Sequence, residues 1–118
     1  MSNNKFEFTR ANRLLTSADF KKVFDNAKKS GDKYFTVLVS NNNLNVARLG
    51  LAISKKNTRL AVQRNRLKRL IRESFRLNNE TLLGIDIVVL ASYRASKQNN
   101  SVLISSLDKH WTKVTDII

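Results

Sequence analysis

The feature that most constrains this fold is the stretch of residues 59–76, RLAVQRNRLKRLIRESFR, in which basic and apolar residues each recur at helical spacing. Counted from Arg64 at 100° per residue, the basic side chains fall in one arc of about 140°, and the leucines fall opposite. Thr58 is the predicted N-cap, and Asn78-Asn79 are expected to end the helix in a left-handed conformation. Periodicity assigns Arg66 and Phe75 to neither face. The arc contains Arg64, Asn65, Lys68, Arg69, Arg72 and Arg76, and the apolar side contains Leu60, Leu67, Leu70 and Ile71.

Positive charge is concentrated around this helix. Residues 55–76 hold nine basic residues and one acid, Glu73, and so carry +8 of the net charge of +13. Like charges on one helix repel each other, so we expect an external anion to bind and reduce this repulsion. A basic helix can also be a merely solvated surface, but this density of charge favours nucleic acid over that interpretation.

Length and composition predict one domain, residues 1–118, with a core of its own, since the chain has 118 residues and 42% hydrophobic content. No apolar run approaches the roughly 20 residues that span a bilayer, and the opening MSNNKFEF lacks an apolar signal core. We therefore expect a cytoplasmic protein without a membrane partner. The absence of cysteine excludes disulfides, thiolate metal sites and a thiol nucleophile.

The remaining segments predict the order α, β, β, α, β, α. A first helix starts at Thr16 to Asp19 and is stopped by Gly31, and an apolar run at residues 85–91 is typical of a buried central strand. The segments 34–40 and 46–54 flank the turn residues Asn41 to Asn43 and suggest an antiparallel hairpin. The strand, helix and strand around the basic helix suggest a parallel crossover, and residues 102–118 suggest a closing helix. The predicted architecture is an α+β sandwich with helices packed on a central sheet.

The sequence does not display a catalytic set of its own. His110 is the single histidine and is interpreted as a surface or packing residue, while Asp86 and Asp108 are isolated in sequence. Trp111, with leucines at helical spacing before it, is interpreted as a core anchor. Any metal-dependent chemistry is therefore expected to belong to a partner.

Phe20 and Phe24 allow two interpretations. Aromatic residues at i and i+4 on a helix usually belong to the core. However, Lys21 lies between them and Tyr34 follows nearby, so the same residues could form an aromatic, basic cleft for unpaired bases. The pattern by itself favours the core.

Arg64-Asn65-Arg66, followed by LKRLIRE, closely resembles the RNR signature of the bacterial ribonuclease P protein component. The similarity runs nearly end to end: residues 13–15 and 19–24 resemble the family's opening, residues 49–56 its strand before the motif, and residues 85–91 its last strand. The resemblance implies a ribosomal-protein-like αβββαβα sandwich. It also implies a left-handed βαβ crossover, against the usual right-handed rule. One of the family's strands is not placed by the sequence.

The resemblance further implies a subunit of a ribonucleoprotein in which a large RNA binds Mg²⁺ and removes the 5′ leader of precursor tRNA. The protein would bind the catalytic RNA and the leader without a catalytic residue, a metal or a stable protein partner of its own. Leu38 stands where some relatives carry an aromatic residue, which implies fewer stacked bases in the leader cleft, and residues 57–63 are one residue longer than in some relatives. The implied RNA-docking residues are Arg64, Asn65, Arg66, Lys68, Arg69 and Arg72, joined by Arg76 through its face and by Lys55, Lys56 and Arg59. The implied leader-binding residues are Phe20, Phe24, Lys21, Tyr34 and Arg13.

The residue pattern alone is also compatible with two other functions. A ribosomal protein or another binder of structured RNA could use the same basic helix. A helix-turn-helix DNA reader is a more distant alternative, because strands flank the basic helix.

Overall fold

Three α-helices and four strands make up the part of the chain that this computed structural model describes, residues 12–13 and 16–118. Short 3₁₀ helices lie at Asn79–Leu82 and at Tyr93–Lys97. The order is the αβββαβα order that the family resemblance implies. The elements are α1 (Ser17–Asn26), β1 (Lys28–Gly31), β2 (Phe35–Asn41), β3 (Arg48–Ala52), α2 (Ala61–Asn78), β4 (Ile85–Ala91) and α3 (Asn100–Ile117).

The strands form one sheet in the order β1-β2-β4-β3. β2 pairs antiparallel with both β1 and β4, and β3 pairs parallel with β4 through the α2 connection. The predicted parallel crossover is confirmed, and its left-handedness stays a prediction. β4 is central, as its continuous apolar sequence indicated, since all its residues except Leu90 are buried.

The predicted hairpin between β2 and β3 is wrong, because β4 lies between these strands. The turn after β2 instead crosses the start of β4. The backbone N–H of Asn42 donates to the carbonyl of Gly84 at 2.9 Å, and its side chain donates to Asp86 Oδ1 at 2.9 Å. These contacts carry the chain past β4 to the far edge of the sheet, where β3 begins.

β1 is the strand that the sequence did not place. We expected α1 to continue to Gly31, but the helix ends at Asn26 and β1 follows at once, with Lys29 opposite Leu38 and Ser30 opposite Val37. An edge strand buries little, and within β1 Ser30 alone is buried. Its sequence, KKSG, therefore lacks the apolar alternation that predicts a strand.

The two faces of the sheet are covered unequally. α2 and α3 pack on one face and form the main core, in which Trp111 is an anchor as predicted. Its Nε1 donates to Ser74 Oγ at 2.8 Å, and its ring meets Phe75 edge-on with centroids 6.3 Å apart. On the other face, the described residues contribute α1, which packs a smaller cluster around Val23 and Val88.

The structure differs from the sequence prediction at both ends of α2. α1 begins as predicted, with a capping box between Thr16 and Asp19. α2, however, begins at Ala61, so Thr58 is not its cap. At the other end Asn79 stays right-handed (φ −52°, ψ −42°), and the left-handed residue is Gly84 (φ 85°), which lies after the following 3₁₀ turn. Within residues 12–13 and 16–118, no helix combines the length and apolarity needed to cross a membrane.

Candidate nucleic-acid interface

The outward face of α2 forms a shallow, positively charged groove of about 340 Å³. Residues that the helical periodicity grouped into one arc are brought together here. One carboxylate, Glu73, lies among them. The residues lining the groove are Asn65, Lys68, Arg69, Arg72, Glu73 and Arg76.

Charge within this α2 groove is unevenly neutralised. Arg76 donates from Nη2 and Nε to the two carboxylate oxygens of Glu73, and this bond raises the pKa of Arg76 and lowers that of Glu73. Lys68, Arg69 and Arg72 form no comparable bond within the described part of the chain. Three cations are therefore available to an external anion, while a fourth is shared with Glu73.

The two arginines of the RNR signature diverge from the groove. Arg64 Nη1 folds back to the loop before α2 and donates to the carbonyl oxygens of Thr58 and Arg59, both at 2.9 Å. Arg66 turns toward the start of α3 and donates to Gln63 Oε1 at 2.8 Å and Asn100 Oδ1 at 2.7 Å. Asn65, between them, lines the groove. Periodicity placed Arg64 at one edge of the arc, and these bonds give it a role in holding the loop.

The loop before α2 extends the positive surface. Lys55, Lys56 and Arg59 are all exposed there. They lie between the end of β3 and the start of α2, beyond the groove proper. The predicted docking residues are thus divided between the groove and this loop, and Arg66 lies toward the start of α3.

The predicted leader-binding residues separate into two groups. Phe20 is half-buried on α1 and packs in the cluster that also contains Leu38 and Leu90. Phe24 is 47% exposed. Lys21 is exposed and bonds to Asp25 at 2.6 Å. The core interpretation of the Phe20–Phe24 pair therefore holds in part for Phe20 and not for Phe24.

Tyr34 and Arg13 lie elsewhere. The Tyr34 hydroxyl accepts a hydrogen bond from Gln98 Nε2 at 3.1 Å, and its ring packs against the main core on the α3 side of the sheet. Arg13 forms an isolated bridge to Leu49 on β3, the edge strand opposite β1. The structure does not bring Tyr34 to the face that carries Phe20.

Lys29 is a candidate that the sequence analysis missed. It is exposed and stands directly opposite Leu38 in the β1–β2 pairing, so both side chains point to the α1 face. Finding it required the register of an edge strand that has no apolar pattern. It adds positive charge to the apolar floor formed by Leu38 and Leu90.

Two side chains that could take part in acid–base chemistry, Asp86 and His110, are buried in the fold. Asp86, which is isolated in sequence, has a partner in the fold: it is 2% exposed and paired with Arg48, and the Asp86 hydrogen bonds raise the pKa of Arg48. His110 is buried, as the packing interpretation expected, with Nδ1 2.7 Å from Ser30 Oγ. Among the described residues, no three His, Asp or Glu side chains are grouped closely enough to hold a metal ion.

Comparisons with known proteins identify the family. The Ribonuclease P family model matches residues 8–115. The chain is 47% identical to the ribonuclease P protein component of Methylococcus capsulatus over 110 residues, covering 93% of this chain and 86% of that protein. It is 50% identical to that of Pseudomonas aeruginosa over 109 residues, covering 92% and 81%. A mutant Staphylococcus aureus RNase P protein has the same fold, with a TM-score of 0.80 at 31% identity and coverage of 91% and 90%. This chain therefore belongs to the ribonuclease P protein family, with a role in tRNA processing as part of a ribonucleoprotein.

Proposed function

We propose that this protein docks on the catalytic RNA of ribonuclease P through the α2 groove and holds the 5′ leader of precursor tRNA on the α1 face of the sheet. The observation that carries the first half is the groove itself. Lys68, Arg69 and Arg72 share it, and none is neutralised by a described residue. A row of unneutralised cations on a rigid helix is suited to successive phosphates of folded RNA.

The leader assignment is supported by apolar side chains on the α1 face of the sheet that stay partly exposed. Phe20, Leu38 and Leu90 form an apolar floor that is only partly buried, and Lys29 adds a cation at its side. Aromatic and apolar surface bordered by positive charge is typical of sites for unpaired bases. Leu38 provides contact area without the stacking of an aromatic ring, so we assign base stacking to Phe20 and its exposed neighbour Phe24.

We assign hydrolysis and the Mg²⁺ ions to the RNA, as the family resemblance implies. The protein's contribution is electrostatic: a net charge of +13 offsets the repulsion between a polyanionic ribozyme and a polyanionic substrate. The Mg²⁺ concentration needed for activity should therefore fall when the protein is present. The setting that we propose is cytoplasmic, and assembly requires no stable protein partner.

Docking is tested by measuring the affinity of the ribonuclease P RNA from the same cells for wild-type protein and for a Lys68→Ala/Arg72→Ala variant. The variant should bind at least tenfold more weakly, since two charge-assisted phosphate contacts are lost. Leu77→Ala is the matched control, because Leu77 is 54% exposed on α2 and does not line the groove. Equal affinity of all three proteins would overturn the docking assignment.

The leader role is tested by comparing precursor and mature tRNA on the assembled holoenzyme. Phe20→Ala should weaken binding of the precursor more than that of the mature tRNA. Phe20→Leu retains apolar packing against Val23 and separates a loss of stacking from a loss of fold. An equal loss for both tRNAs would contradict the assignment.

The alternative of a general structured-RNA binder is decided by purifying the tagged protein from its own cells and sequencing the bound RNA. Dominant recovery of one ribozyme RNA together with 5′-extended tRNA precursors would support our proposal. Recovery of ribosomal or mixed RNA would favour the alternative.

A further inference from the structure

A second cavity, of about 510 Å³, lies between the loop before α2 and the 3₁₀ helix after β4. Its volume is in the usual range of sites for small organic groups, and none of its lining residues is acidic. It shares no residue with the α2 groove. The residues that line it are Asn57, Thr58, Arg59, Leu60, Gln63, Tyr93, Ser96 and Lys97.

Exposed apolar and aromatic side chains border this cleft. Tyr93 is 60% exposed and Leu60 is 63% exposed. The Lys97 amine lies 5.2 Å from the Tyr93 ring centroid. The turn that carries the tyrosine is held by its own hydrogen bond, Ser96 Oγ to the carbonyl oxygen of Tyr93 at 2.7 Å. The cleft therefore presents an aromatic ring on a fixed support, with a cation beside it.

A buried hydroxyl in the wall of the cleft lacks a partner. Thr58 is 2% exposed, and its Oγ1 forms no hydrogen bond to any described residue. The loop is held in place, because the Thr58 N–H donates to the carbonyl of Ser54 at 3.0 Å and Arg64 bonds the carbonyl oxygens of Thr58 and Arg59. A buried polar group without a partner costs stability, and a rotation of the Thr58 side chain toward the cleft would let a polar ligand supply the missing bond.

We propose that this cleft binds one unpaired nucleotide of an RNA. The base would lie against Tyr93 and Leu60, a rotation of the Thr58 side chain would bring Oγ1 to its polar edge, and Arg59 and Lys97 would hold the adjoining phosphate. Positive charge with an exposed aromatic residue fits a nucleotide better than a protein segment, which would leave these cations without partners. The inference rests on the proposed function in that the nucleotide belongs to the RNA already docked on α2. Arg64 of the RNR signature would contribute to this site indirectly, because it fixes the loop that forms the cleft.

The direct test is an NMR titration of the full-length, ¹⁵N-labelled protein with hexaadenylate at moderate salt. Amide signals of residues 57–63 and 93–97 should shift together and saturate. Tyr93→Ala should weaken this binding by about 5- to 150-fold, the loss expected for one base–aromatic stack, and Tyr93→Phe should retain it. Leu83→Ala is the control, because Leu83 is an exposed leucine outside the cleft.

Thr58→Val separates a ligand-binding hydroxyl from a structural one. Valine has nearly the same shape and lacks the hydroxyl, so the unliganded variant should be at least as stable as wild type while it binds hexaadenylate more weakly. A structural hydroxyl would show the reverse, with lower stability and unchanged binding. That reverse result would overturn the proposal.

Two further outcomes would also overturn it. One is the absence of shifts in the cleft together with normal binding of ribonuclease P RNA by Tyr93→Ala, which would leave the docking on α2 intact. The other is concentration-dependent self-association that Tyr93→Ala abolishes, which would make this face a protein contact. Conversely, saturable cleft shifts in a protein that does not bind ribonuclease P RNA would support the cleft and overturn the proposed function.

Discussion

Arg48 and Asp86 are paired in register on the parallel strands β3 and β4 and form a bidentate ion pair. Arg48 Nε lies 2.7 Å from Asp86 Oδ1, and Nη2 lies 2.6 Å from Oδ2. Asn42 donates a third hydrogen bond to the same carboxylate. The pair connects the β3 edge of the sheet to its centre, and the Asn42 turn closes over it.

Arg48→Met should lower the free energy of unfolding by about 3 kcal/mol, because it leaves the carboxylate of Asp86 buried without its cation. Adding Asp86→Asn should recover most of this loss, since the neutral amide oxygen still accepts from Asn42. Urea unfolding of wild type, single and double variants measures both values. If the double variant is no more stable than the single one, the buried charge is not the cause.

Arg66→Ala should act mainly on stability. The arginine bonds to Gln63 and Asn100 and so joins α2 to the start of α3, and losing these bonds should cost about 1–3 kcal/mol. At low temperature, where the variant remains folded, its affinity for ribonuclease P RNA should fall less than that of Arg72→Ala. Thermal unfolding and RNA titration on the same preparations separate the two effects. A larger loss of affinity than for Arg72→Ala, at unchanged stability, would show that Arg66 contacts RNA directly.

Arg72 and Arg76 provide a matched pair for the salt dependence of RNA binding. Both line the α2 groove one turn apart, but Arg76 is bonded to Glu73 and Arg72 is not paired with a described residue. Arg72→Gln should reduce the slope of log affinity against log salt by about 0.7 to 0.9, which corresponds to one phosphate contact. Arg76→Gln should reduce it less, because Glu73 already neutralises part of that charge. Titrations between low and moderate salt measure both slopes, and a larger change for Arg76→Gln would contradict the assignment.

Periodicity and composition predicted the elements whose burial is strong. β4 was predicted with its observed bounds, residues 85–91, because a continuous apolar run can be buried on both faces. The inward side of α2 was predicted through Leu67 and Ile71, and the α1 cap through Thr16 and Asp19. In each case the signal is local in sequence, either a short repeat or a side chain bonding within one turn.

The errors arose where distant segments decide the structure. The strand β1 depends on pairing with β2, and the order β2-β4-β3 depends on contacts of Asn42 with the start of β4. Periodicity also could not predict the directions of the two RNR arginine side chains. The helix places them two positions apart, but the loop carbonyls and Asn100 determine where their guanidinium groups lie. The position of Lys29 on the α1 face likewise depended on a strand register.

Asp32 connects the start of β2 to α3 and gives the fold a specific sensitivity to acid. Its Oδ1 accepts hydrogen bonds from the Tyr34 and Phe35 amides, both at 2.8 Å, and Oδ2 accepts one from Ser106 Oγ. Partial burial raises the pKa of Asp32, but the Ser106 bond, the two amide bonds and the nearby His110 together lower it below the ordinary value of 3.8. Because the folded pKa is depressed, this stabilisation is complete above the ordinary pKa and is lost as the pH falls through the folded one.

Asp32→Asn should therefore reduce the free energy of unfolding at pH 7 by about 1–3 kcal/mol, since hydrogen bonds to a charged acceptor become bonds to a neutral one. The difference between wild type and variant should stay constant down to about pH 5 and then shrink below pH 4, as the wild-type carboxylate takes up its proton. Urea unfolding at pH 7, 5 and 3 measures this difference directly. A difference that keeps its full size at pH 3 would mean that the hydrogen bonds of Asp32 contribute through geometry and not through its charge.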